Sequence, residues 1–132
     1  MMTPDQVDVF ARGLYHVAQV DGIDDSELKM IHEFLEETGQ TGMAKELETS
    51  GFRVNELAIL ETSFLKRVFL KACLVLIRSD GKITDEEKTI VAMIAEYLDL
   101  EDDFDEMLAA AATEPRLFDN RLISSKNNSS DS

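Results

Sequence analysis

The chain has 132 residues, with 27 Asp and Glu against 13 Lys and Arg, a formal net charge of -14 and 44% hydrophobic residues. This length suits one domain whose core needs no disulfide or metal. The charge argues against non-specific nucleic-acid binding and against docking on anionic lipid, both of which rely on Lys and Arg, and leaves open cations, basic surfaces and neutral partners.

Thr3-Pro4-Asp5-Gln6 starts the first helix: Thr3 is the N-cap, Pro4 fits the first turn and Gln6 completes a capping box. Phe10, Leu14, Val17 and Ala18 follow at helical spacing, and Asp21-Gly22 ends the helix. Asp24 and Glu27 form a second capping box, and Leu28, Ile31, Phe34 and Leu35 form the apolar face up to Gly39. Gly42 and Gly51 break the next stretch, which predicts one short helix near Met43–Thr49. The pattern turns helical again from about Asn55, and Glu61-Thr62-Ser63 marks a break or cap between a short helix and a long one over Phe64–Ser79. That helix is apolar almost all round, so it belongs at the centre of a bundle. Its Lys66, Arg67, Lys71 and Arg78 are expected to reach outward or meet acidic neighbours. Asp80-Gly81 ends it, and Thr84 with Glu87 forms a third capping box. Ile90, Val91, Met93, Ile94, Tyr97 and Leu98 are the expected buried face of the following helix. Glu101–Ala112 and Thr113–Ile123 read as two last helices, before a disordered polar tail over 124–132. The expectation is therefore an all-α compact bundle of roughly six to eight helices in a single domain over 1–123.

The charge is uneven: residues 1–50 sum to -8, residues 51–82 to +3 and residues 83–132 to -9. The single cysteine, Cys73, lies in the apolar run Ala72–Ile77, so no disulfide framework exists and a reducing, cytoplasmic compartment is expected. No signal peptide is read at the N-terminus. The longest apolar run falls well short of the roughly 18 residues that span a bilayer, so no membrane insertion is expected. His16 and His32 lack ligand-like spacing, and Met43, Met93 and Met107 are expected to fill the core. The chain shows no phosphate loop, nucleophile elbow or zinc-protease motif, which points to a protein that is not an enzyme. A metal-dependent hydrolase using the carboxylates is the weakest alternative.

A duplication stands out. Asp21-Gly22-Ile23-Asp24-Asp25-Ser26-Glu27 matches Asp80-Gly81-Lys82-Ile83-Thr84-Asp85-Glu86-Glu87, with Lys82 as the extra residue. Met30, Ile31 and Phe34 match Ile90, Val91 and Ile94 at an offset of 60. Each copy reads as helix, Asp-Gly corner, N-cap and helix. One reading is structural: glycine turns the chain, Ile23 and Ile83 plug the corner, and Asp24 or Thr84 caps the next helix. The other is a cation site, because Asp21, Asp24 and Glu27, and again Asp80, Asp85 and Glu87, gather three carboxylates at a corner. An EF-hand is excluded, since loop positions 1 and 3 of the second copy would be Leu76 and Arg78.

These two corners, Val20–Glu27 and Ser79–Glu87 with their flanking helices, resemble the TerB-like family, which includes tellurite-resistance TerB proteins and the N-terminal domain of DjlA co-chaperones. The resemblance covers roughly residues 5–112. It implies a duplicated helical unit acting in stress or metal resistance, with a divalent metal ion as cofactor at Asp21, Asp24, Glu27, Asp80, Asp85 and Glu87. The chain departs from the family pattern at Val20 and Ser79, where a small Ala is usual, and in the shorter first corner. Without a J domain in these residues, a DjlA-type chaperone role is not expected. The alternative is a metal-free protein–protein interaction module with purely structural corners. Either reading expects a protein partner and no nucleic acid.

Overall fold

The computed structural model describes residues 2–20, 22–78 and 83–111. Among these residues the fold is all-α: α1 (Pro4–Ala18), α2 (Asp25–Glu37), α3 (Ser63–Ile77), α4 (Asp85–Tyr97) and α5 (Phe104–Ala111), with short 3-10 segments at Thr41–Glu46, Val54–Ile59 and Glu101–Asp103. The helix expected over Thr113–Ile123, the tail expected over 124–132, Asp21 and residues 79–82 lie outside the described residues.

The helices start where the side chains satisfy their first free N–H groups. Thr3, Asp24 and Thr84 each accept a hydrogen bond from the amide three residues on, and Gln6, Glu27 and Glu87 reach back to the N-cap amide. Thr62 caps α3 in the same way, by accepting from the Leu65 amide.

The repeat extends well beyond the corners. α1 and α3 both have 15 residues, and their N-caps, Thr3 and Thr62, lie 59 positions apart. α2 and α4 both have 13 residues, and their N-caps, Asp24 and Thr84, lie 60 apart. The extra residue between the two offsets agrees with the unmatched Lys82. The helix ends match too. Gln40 N–H donates to the Leu35 carbonyl and Leu100 N–H to the Ala95 carbonyl, both at 2.8 Å, which closes a Schellman motif in each copy. The left-handed residue is Gly39 (φ 77°) in the first copy and Asp99 (φ 62°) in the second.

α1 packs against α2, α3 and α4, and α5 covers α3. Phe10 and Phe69, which occupy equivalent positions in α1 and α3, meet edge to face at 5.1 Å and are both fully buried. Counterparts of the two copies thus touch each other, as residues near a pseudo-two-fold do. Gly13 permits the close approach there, because a Cβ at that position would come within 2.7 Å of the Phe69 ring.

α3 is the central helix, with Phe69, Leu70 and every residue from Ala72 to Ile77 buried. Its basic Arg67 reaches out and pairs with Asp103 at 2.8 Å, as the charge pattern anticipates. Arg12 ties the 51–56 segment to α1: it pairs with Asp8 at 2.9 Å and Glu56 at 2.7 Å, and donates to the Gly51 carbonyl. The short helix expected near Met43–Thr49 forms as a 3-10 segment shifted slightly earlier, over Thr41–Glu46, with a turn after it. One expectation is corrected. On α4, Val91, Ile94 and Leu98 are buried, but Met93 and Tyr97 are 60% and 43% exposed. They sit on the α4 face turned away from the core.

Candidate functional site

Glu27 and Glu87, one from each copy, come together. They are the buried charged residues of the described chain, at 2% and 4% exposure. They stand at the same position in the two copies, third in α2 and third in α4. One oxygen of each carboxyl group is committed locally. Glu27 Oε1 accepts from the Asp24 amide, and Glu87 Oε1 accepts from the Thr84 amide, each at 3.1 Å. The Glu87 carboxyl lies close enough to that of Glu27 to raise it. Like Phe10 and Phe69, they are counterparts that lie side by side.

Two buried carboxylates this near to each other disfavour both being ionised. The electrostatics agree. Burial pushes the Glu27 carboxyl up to about 8; the Asp24 amide opposes this, and the negative charges of Asp24 and Glu87 add to it. Burial thus favours the protonated form of Glu27 in a range where an exposed glutamate is ionised.

The other candidate residues are placed differently. Asp24 caps α2: its Oδ1 accepts from the Glu27 amide at 2.9 Å and from Ser26 Oγ at 2.8 Å. Asp85 is exposed in the first turn of α4. Asp21 and Asp80 lie outside the described residues. Among the described residues, no group of three or more His, Cys, Asp or Glu is arranged to hold a metal ion.

The remaining reactive side chains are spoken for. Cys73 is fully buried in α3, and burial pushes its thiol far above the ordinary range, which keeps it protonated and unreactive. His16 is half-buried with its ring 5.5 Å from that of Phe52, and His32 is exposed. No described helix is long and apolar enough to cross a membrane.

No protein-family model, curated protein or solved structure matches the chain.

Proposed function

We propose that the chain is a non-enzymatic, TerB-like helical module of the cytoplasm, whose two acidic corners close on a carboxyl pair that exchanges its proton for a divalent cation. The observation that carries this reading is the burial of Glu27 and Glu87 beside each other. Hard divalent cations seek several carboxylate oxygens, and a paired site already desolvated by the fold lacks only a lost proton and further ligands. Glu27 and Glu87 would hold the ion, and Asp21, Asp24, Asp80 and Asp85 are the further candidate ligands. A bound ion would neutralise the corners and cross-link the two copies. A role in stress or tellurite resistance rests on the family resemblance alone.

A competing reading is a metal-free protein–protein interaction module. It is favoured by the capping bonds, which already give each glutamate a structural task. Thermal unfolding of the full chain at pH 8, with and without Ca²⁺, Mn²⁺ or Zn²⁺, separates the two. An ion present at about 100 times its dissociation constant is expected to add about 2.7 kcal/mol to the native chain, and Glu27→Gln is expected to abolish that gain. A native chain indifferent to all three ions overturns the cation reading and leaves the metal-free one.

A further inference from the structure

The two copies differ most on the outer faces of α2 and α4. At the offset of 60, Met93 corresponds to Glu33 and Tyr97 to Glu37. All four positions are exposed. The first copy places charged residues there, as a solvated helix face does. The second places a large thioether and an aromatic ring.

These two residues belong to a groove. Ile90, Met93 and Tyr97 form its α4 side, and Phe52 and Val54 form the opposite wall of a concavity of about 350 Å³. Tyr97 is fixed against that wall, its hydroxyl donating to the Asn55 carbonyl at 3.4 Å. Ile90 and Met93 also line an adjoining shallow concavity that ends at Val20, so the apolar floor runs on along the start of α4. The charged side chains lining the two concavities are Asp85, Glu86 and Glu96, together with the titratable His16, and no described Lys or Arg lines either one. The groove thus has an apolar floor and an acidic rim.

We infer that this groove docks an amphipathic helix of another protein, with two or three apolar anchors on one face and Lys or Arg on its flanks. An apolar face one to two turns long matches the helix-in-groove mode of recognition. The carboxylate rim selects cationic flanks and speeds encounter, and the chain's net charge of -14 acts in the same direction. The same rim disfavours a second copy of so acidic a chain. The inference rests on the chain being an interaction module and is independent of whether Glu27 and Glu87 bind a cation.

The test uses the full chain and a synthetic helical peptide of about 18 residues with Leu on one face and Lys on the other. The controls are a scrambled peptide of equal composition and one with Glu in place of Lys. Anisotropy titration reads affinity, and ¹³C-methyl methionine spectra read location. The Lys peptide is expected to bind with an affinity that falls with added salt, to shift the Met93 methyl most, and to lose affinity about tenfold in Met93→Gln, as expected for a lost buried anchor. Phe64→Gln, on an exposed apolar residue outside the groove, is expected to leave binding unchanged. Equal binding of the scrambled peptide, or a Met93 methyl that does not respond, overturns the proposal. So do contacts from Met93 to a second copy or to the chain's own residues beyond 111 in the unliganded protein. Metal-dependent unfolding is unaffected by any of these outcomes, so failure of the groove and failure of the cation site are told apart.

Discussion

The α1–α2 and α3–α4 units are built alike on the inside and differently on the outside. Inside, the caps, helix lengths and Schellman ends correspond, and two pairs of counterparts, Phe10 with Phe69 and Glu27 with Glu87, touch each other. Outside, α2 carries Glu33 and Glu37 where α4 carries Met93 and Tyr97. Counterparts that touch must suit each other, which holds those positions to one pattern in both copies. The outer faces carry no such restraint, which leaves each free to serve a different surface.

Substitutions at equivalent positions sharpen or break this comparison. The largest effects are expected on the axis. Phe10→Ala and Phe69→Ala each remove a fully buried ring from the same contact, and each should cost about 3–5 kcal/mol in denaturant unfolding. A cost confined to one of the two would show that the copies are not equivalent at the axis. The caps come next. Asp24→Ala and Thr84→Ala each delete the side-chain oxygen that holds the amide of the paired glutamate, and each is expected to lose about 1 kcal/mol. A double variant that loses more than the sum would reveal coupling through the Glu27–Glu87 contact.

The helix ends give a smaller effect of opposite sign. Asp99 holds a left-handed conformation that glycine fills in the first copy. Asp99→Gly is expected to stabilise by about 0.5 kcal/mol, since relief of backbone strain outweighs the added freedom of the unfolded chain, while Gly39→Ala should destabilise by about 1 kcal/mol. The smallest effect falls on the outer face. Met93→Glu gives the second copy the residue of the first, and should change stability by no more than about 0.5 kcal/mol.

Much of the fold is legible in the sequence because helix starts are written locally. Thr3, Asp24 and Thr84 announce themselves by the Gln or Glu three residues on, and each forms the expected box. The corner repeat is equally plain, because Asp-Gly and the capping box recur at nearly constant spacing. The match between α1 and α3 is harder to see. Their offset is 59 and not 60, and beyond Phe10 and Phe69 their buried residues differ in kind, as with Gly13 and Ala72. The contact between Glu27 and Glu87 depends on where the pseudo-axis passes, which no local pattern encodes. Equivalence in the repeat marked both residues, and only packing shows that they meet. Met93 and Tyr97 mislead for another reason. α4 carries apolar residues around most of its circumference, so periodicity alone cannot say which of them face outward. The Glu at each matching position of α2 is the signal that identifies them.

Glu27 and Glu87, one from each copy, come together in the buried interior. Glu27 is raised in the folded chain relative to the usual 4.5. Its contribution to stability is therefore fully present below pH 4.5 and is lost as pH rises towards about 8. Glu27→Gln should remove that part of the pH dependence. The most direct measurement is a ¹³C titration of the glutamate side-chain carboxyl groups in the folded, metal-free chain. One carboxyl of the Glu27–Glu87 pair is expected to titrate near pH 8, and Glu87→Gln should shift that titration. If Glu27 and Glu87 both titrate near 4.5, each unmoved by substitution of the other, the two carboxyl groups do not come together as described.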